Sequence, residues 1–325
     1  MTALSVVVDL LQLVVFPGFL FIIGLAFTYE WFDRKFYARF QNRIGPLYTG
    51  PSGFLQPFAD FVKLLAKEDI TPEAADSVMF SLMPIFAVTI MLIAATLLPI
   101  TSMRGVVSFS GDLIVAVALM TIFCIVVFLA GIFSTNRFSS VGAERAVSQL
   151  LGYEIPMTLA IAGVALAAGS LQLVDIVEAQ ASTRWYILGP QALGFAIYVI
   201  AVQAELERVP FDIPEAEQEI VAGWLTEFSG RKLALFRLSR DLELVYVSGL
   251  AATLYLGGPT GPVIAGLEPI LFPIYFVVKT VVVLLILSTI RTVFARIRID
   301  QMVNFSWKYL VPLSLFQLLL IRVTI

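Results

Sequence analysis

Apolar runs close to 20 residues long recur along the chain, the length an α-helix needs to cross a bilayer core. Eight such spans are predicted: 8–29, 78–100, 113–134, 155–174, 186–204, 242–258, 267–290 and 305–325. The first has no small-residue cleavage site before "YEWFDRK", so it is expected to be retained rather than removed as a signal peptide. Pro17, Pro84, Pro273 and Pro312 fall inside spans and predict kinks. Neighbouring helices and water can take up the carbonyls they free. One shorter stretch, "QPFADFVKLLAKEDI", has a different period. Phe58, Phe61, Val62 and Leu65 follow helical spacing, with Asp60, Lys63 and Lys67 on the other side and Pro57 at the start. It predicts an amphipathic helix lying in the membrane interface or against a partner.

The polar segments between spans alternate in basic charge. Loop 30–77 carries Arg34, Lys35, Arg39, Arg43, Lys63 and Lys67; loop 135–154 carries Arg137 and Arg145. Loop 205–241 carries Arg208, Arg231, Lys232, Arg237 and Arg240; loop 291–304 carries Arg291, Arg296 and Arg298. The intervening loops have one basic residue or none. The odd-numbered loops are therefore expected on the cytoplasmic side, with both termini outside. No internal repeat and no long linker interrupts the pattern, so 1–325 is expected to be a single all-α membrane domain.

Composition agrees with this assignment: 59% of residues are hydrophobic, 14% are charged, and the mean hydropathy is +0.92. A soluble domain carries about 25% charge. The net charge of −3 gives no sign of a nucleic-acid partner. Cys124 is the single cysteine and there is no histidine. That excludes a disulfide framework and a cysteine-held cluster, and leaves proton chemistry to carboxylates, Lys, Arg, Tyr or water.

Charge at or inside a membrane is costly and marks candidate function. Glu144 and Glu154 stand ten residues apart at the entry to the fourth span, with Gln149 and Tyr153 between them. They form either a stepped line of proton-holding groups or simply acids favoured at a helix start. The stretch "ELERVPFDIPEAEQEIVAGWLTEFSG" holds seven acids: Glu205, Glu207, Asp212, Glu215, Glu217, Glu219 and Glu227. Val209, Phe211, Ile213, Ile220 and Trp224 thread it, and Pro210, Pro214 and Gly223 stiffen it. That interleaving favours burial over a solvated acidic face, and crowded carboxylates out of water cannot all ionise. Lys279 lies mid-span and needs a carboxylate, a carbonyl or a wet cavity.

Six motifs then occur in order along the chain: "FDRKFYARFQNRIGP", "LLAKEDITPEAAD", "GYEIP", the acidic stretch, "FVVKT" and "RIRIDQMVNFSWKYLVPLS". In these the chain resembles the membrane subunit, of the 1/H type, that anchors the peripheral arm of respiratory complex I and of related membrane-bound hydrogenases. The resemblance implies a subunit without a redox centre in a multisubunit, ion-translocating oxidoreductase of a prokaryotic cell membrane. Its implied partners are a peripheral iron–sulfur subunit, a hydrogenase-like catalytic-site subunit, and antiporter-like and small membrane subunits. It implies no cofactor on this chain alone: quinone, where used, sits at an interface, and any nickel–iron site lies in a partner. It implies a proton or ion path through Glu144, Glu154, Asp212, Glu215, Glu217, Glu219, Glu227 and Lys279. Contacts to the arm are implied at Arg34, Lys35, Arg39, Arg43, Lys63, Arg208, Arg291 and Arg298.

Three positions depart from the complex I pattern: Asp33 in place of Glu, Arg237-Leu238-Ser239-Arg240-Asp241 where an apolar run and a Glu–Tyr pair are usual, and Gly152 in place of Ser. Reversed charge near the quinone entry weighs towards a hydrogenase-type or other non-quinone relative, with a quinone oxidoreductase as the alternative. A stand-alone ion transporter, active as a single chain, and a purely structural anchor with replaceable acids are the rivals of other classes.

Overall fold

The computed structural model describes residues 11–262 and 266–324, and among these every regular element is helical. In chain order they are α1 (Phe19–Phe40), α2 (Gln56–Ala66), α3 (Ser77–Thr96), α4 (Asp112–Phe133), α5 (Arg137–Ala168) and α6 (Leu173–Ser182). There follow α7 (Ala192–Glu205), α8 (Glu217–Ile220), α9 (Gly230–Tyr255), α10 (Glu268–Val293), α11 (Ile299–Phe305) and α12 (Val311–Thr324). Helix starts are chemically marked. The Asp76 carboxylate accepts from the amides of Val78 and Met79 ahead of α3, and the Asn136 side chain accepts from Phe138 ahead of α5. Gly169, in the left-handed region, closes α5.

Five helical segments are long and apolar enough to cross a bilayer: Leu11–Phe40, Ser77–Thr96, Asp112–Phe133, Arg137–Ala168 and Glu268–Val293. The other three predicted spans are helical but miss that measure, each for its own reason. Only Ala192–Glu205, 14 residues, of the span 186–204 is α-helix. The span 242–258 is the continuation of α9, whose first half carries Arg231, Lys232, Arg237, Arg240, Asp241 and Glu243. The last is divided by a π-helical turn, Ser306–Leu310, between α11 and α12. The first ten residues of the chain lie outside the described part.

Two predicted loops are helix instead. Nearly all of 135–154 belongs to the 32-residue α5, because its Ala, Glu, Gln and Leu residues favour helix even where the apolar run is broken. Most of 175–185 is α6. The amphipathic helix forms as expected at Gln56–Ala66, with Phe58, Val62 and Leu65 exposed on its surface.

α9 is the central pillar. Every residue from Leu242 to Tyr255 is buried, as befits a helix apolar all round, and α9 packs against α1, α3 and α10. Ion pairs then gather the four basic loops at one end of the bundle: Arg208 to Asp33, Lys232 to Asp69 (2.9 Å), Arg145 to Glu219 (2.6 Å) and Arg296 to Asp212 (3.2 Å). The alternation of charge in the sequence thus corresponds to a shared end in space.

α5 approaches the 223–225 turn so closely that a Cβ at Gly142 would lie 2.6 Å from the Trp224 backbone nitrogen, while one at Gly24 would meet nothing within 4 Å. Gly142→Ala is therefore expected to destabilise by about 1–3 kcal/mol. Gly24→Ala is expected to be neutral or to gain up to about 1 kcal/mol. The melting temperatures of the purified variants check the contrast.

Candidate functional site

The acidic stretch is an ordered loop. The Gln149 amide, buried on α5, donates to the carbonyls of Ala204 (2.7 Å) and Phe211 (2.9 Å), tying both ends of the 205–211 segment to one helix. Trp224 is fully buried, edge-on to Phe236, and its indole N–H donates to Glu207 Oε2 at 3.1 Å. Gly223 adopts φ +55°, and a Cβ there would sit 1.8 Å from the Pro214 carbonyl oxygen. Val221 holds φ +63°, a costly conformation for a β-branched side chain. These constraints fix where the loop aims its carboxylates.

Three charged clusters result. In the innermost, Arg240 pairs with Glu207 and with Glu243 (2.9 Å), stands 4.0 Å from Glu215, and lies over the rings of Trp224 and Phe123. Glu205 is buried beside Tyr153 and within electrostatic reach of Glu243, Arg240 and Glu154. Glu205 Oε2 and Glu243 Oε1 are buried without a hydrogen-bond partner. In the second cluster, Asp33, 1% exposed, is held by Arg208 (3.2 Å), Arg291 (2.8 Å) and the Ser288 hydroxyl. In the third, at the surface, Glu219 bridges Arg145 and Arg296, and Arg296 reaches Asp212.

The predicted acids therefore divide. Glu205 and Glu207 are buried; Asp212, Glu215 and Glu227 are half-buried; Glu217, Glu219 and Glu144 are exposed. Glu154 is half-buried and accepts from the Thr121 hydroxyl at 2.6 Å, and Glu227 accepts from the Asn136 amide. Because α5 is continuous, Glu144 and Glu154 lie about 15 Å apart along one axis. Lys279 is not brought to the acids. Its ammonium donates to the carbonyls of Gly258 (2.9 Å) and Thr260 (2.6 Å) and sits 4.5 Å from the centre of the Trp185 ring. Those groups follow the C-terminus of α9, about 25 Å along that helix from Arg240.

Among the predicted arm contacts, Arg39, Arg43, Lys63 and Arg298 are exposed and Lys35 is half-buried, but Arg208 and Arg291 are committed inward to Asp33. Arg34 is held by Glu30 and Asp60 (2.6 Å each). A cavity of about 20 Å³ between α1, α2 and α9 is lined by Arg34, Asp60, Arg237 and Asp241, room for about one water. Glu243, buried and paired with Arg240, is a member of the cluster that the sequence concealed, because it lies inside an apolar run. Its one signal is the spacing Arg240-x-x-Glu243, which places the pair on one helix face.

Loss of water contact raises Glu215 from its ordinary 4.5 to about 7, against the downward pull of Arg240, while Glu207 adds to the rise. Burial raises Asp212 too, opposed mainly by Arg296. The Arg145 hydrogen bond lowers the exposed Glu219. The loop thus sets Glu215, raised to about 7, beside Glu219, held low by its arginines.

The fold and site define a polytopic helical membrane subunit with a buried, charge-compensated acidic core at one end. The chain belongs to the family described as NADH dehydrogenase, whose model matches residues 11–322. It is 40% identical to the H-type subunit of NADH-quinone oxidoreductase from Dehalococcoides mccartyi strain 195, covering 96% of this chain and 85% of that one. It is 41% identical to the corresponding NADH-quinone oxidoreductase chain of Carboxydothermus hydrogenoformans, covering 94% and 86%. Among solved structures it is similar to a chain of a membrane-bound sulfane sulfur reductase, an archaeal respiratory membrane complex. The TM-score is 0.85, with 28% identity and 97% and 99% coverage. The chain is an integral membrane subunit related to those of complex I, and it works with other subunits of an oxidoreductase.

Arg240→Gln leaves Glu207 and Glu243 buried without their cation, an expected cost of about 3–5 kcal/mol, read as a lower melting temperature of the complex. Glu215 binds its proton more tightly when folded, so its contribution to stability falls as pH rises from 4.5 to about 7. The melting temperature of wild type is therefore expected to decline across that window more than that of Glu215→Gln.

Proposed function

We propose that this subunit docks a peripheral electron-transfer arm on its basic end and couples redox chemistry there to proton or ion movement through its buried carboxyls. By its excess of Lys and Arg, that end faces the cytoplasm. The observation that carries the reading is the pair Glu205 and Glu243. Both are buried, each has an oxygen without a hydrogen-bond partner, and both feel the same Arg240. One pKa unit is about 1.36 kcal/mol, so a charge arriving nearby needs to move such a group by only a few units to switch its proton occupancy. Glu154, Glu205, Glu215 and Glu243 are the proposed carriers. Glu207, Arg240, Asp33, Arg208 and Arg291 hold the field they sit in. Exposed Glu144, Glu217 and Glu219 act at the mouth, Asp212 and Glu227 at the loop's flanks. Lys279 belongs to the far end of the bundle and not to this path. Arg39, Arg43, Lys63 and Arg298 present the docking charge.

For the electron acceptor, the names of the relatives at about 40% identity favour quinone. The contrary weight given by reversed charge at Arg240 lessens, because Arg240 is turned inward onto Glu207 and Glu243. A hydrogenase-type or other non-quinone acceptor is the second reading. It is favoured by a likeness of 0.85 in TM-score to the sulfane sulfur reductase chain.

Glu205→Gln and Glu243→Gln in the assembled complex are expected to leave the partner subunits co-purifying while ions moved per electron fall about a hundredfold. Glu178→Gln, at an exposed position on α6 outside the path, is expected to change nothing. Undiminished translocation in both buried variants overturns the coupling role, and translocation by the isolated chain would favour a stand-alone transporter.

A further inference from the structure

A cavity of about 620 Å³ opens at the end of the bundle opposite the acidic loop. It lies between the C-terminal end of α6, the turn that follows, and the loop joining α9 to α10. Gln180 builds that corner. Its amide donates to the carbonyls of Thr253 (2.9 Å) and Leu254 (3.2 Å) at the end of α9, and its oxygen accepts from the Tyr186 amide. The turn 183–188 is thereby pinned beside the pillar helix, with Thr183, Arg184, Trp185 and Leu188 lining the opening and Tyr186 and Ile187 packed against the core.

The lining is chemically two-sided. Met103, Leu188 and Phe272 supply an apolar wall, while Arg184, Trp185 and Thr260 supply a polar one, and no carboxylate lines the cavity. Arg184 is exposed, with its guanidinium packed against the Gly189 turn. One layer behind the floor, the Lys279 ammonium is fixed by the carbonyls of Gly258 and Thr260 and by the face of Trp185. Carbonyl partners orient that ammonium without cancelling its charge. One positive charge, Arg184, thus lines a cavity of ligand-binding size, and a second, Lys279, stands behind its Trp185 and Thr260 wall.

We infer that this cavity is a binding site for an anionic phospholipid: the phosphate on Arg184, backed by the field of Lys279, and an acyl chain along Leu188, Phe272 and Met103. Trp185, at the end of the bundle, is of the amphipathic aromatic type that membrane proteins hold at the level of the headgroups. Lipid held here would wedge the α9–α10 loop against α6 and assign Lys279 a binding role, distinct from the proton chemistry at the other end.

The test counts lipid on the intact complex. The complex is taken from vesicles of equal parts phosphatidylcholine and phosphatidylglycerol, and retained phosphatidylglycerol is measured by native mass spectrometry. Arg184→Gln is expected to weaken retention about fivefold. Leu188→Trp, which fills the apolar wall without changing charge, is expected to lower it also. Arg104→Gln, another arginine in the loops of that end, is expected to retain as wild type does. Equal retention in wild type and Arg184→Gln, or equal retention of phosphatidylcholine in its place, overturns the site. Displacement of the lipid by inorganic phosphate alone overturns the lipid as its occupant and leaves a free-anion site.

Discussion

The structure depends on one electrostatic arrangement: Arg240, half-buried, divides its guanidinium between the buried Glu207 and Glu243. An isolated ion in that position would cost several kcal/mol after relaxation. Pairing one cation with two acids leaves the local sum negative, with Glu205 adding to it. That imbalance has a chemical use. Arg208 and Arg237 stand within electrostatic reach and offset part of it, while Tyr153 and Cys124 beside Glu205 add no cation. The imbalance can also be relieved by a proton, which is the basis of the proposed coupling role.

The rest of the architecture keeps that arrangement dry and rigid. Gln149 ties the loop to α5, Trp224 caps Glu207, and Gly142 and Gly223 let backbone approach backbone where any side chain would intrude. A second compensated group, Asp33 with Arg208 and Arg291, joins α1, the acidic loop and the end of α10 across the same end. Three segments distant in sequence are thus coupled through charges that cannot move independently. A change of charge at the surface cluster of Glu219, Arg145 and Arg296 has a short route inward through Asp212 and the loop.

How much of this was legible in the sequence follows from range. The helical membrane class, the amphipathic α2 and the sharing of one end by the four basic loops were legible, because each rests on local pattern: run length, 3.6-residue spacing, and Lys and Arg counts. Helix ends were less so. Charge, from Arg137 to Glu154, kept the apolar run from starting before 155 but did not stop the helix, so α5 extended through a predicted loop. The seven acids were found together, yet the sequence could not divide Glu205 from Glu217, since burial is decided by what packs over them. Lys279 was correctly marked as costly. Its partners proved to be carbonyls 19 and 21 residues earlier, an arrangement no periodicity announces. The inward turn of Arg208, Arg240 and Arg291 was likewise hidden, because pairing across the bundle leaves no local trace.

The central claim is that carboxyls secluded around Arg240 change proton occupancy when the neighbouring redox site is reduced. Redox-difference infrared spectroscopy of the assembled complex tests it most directly. The account predicts a protonated-carboxyl band that appears or shifts on reduction and is lost in Glu205→Gln or Glu243→Gln. A difference spectrum with no carboxyl change, or one that both variants leave untouched, would contradict it.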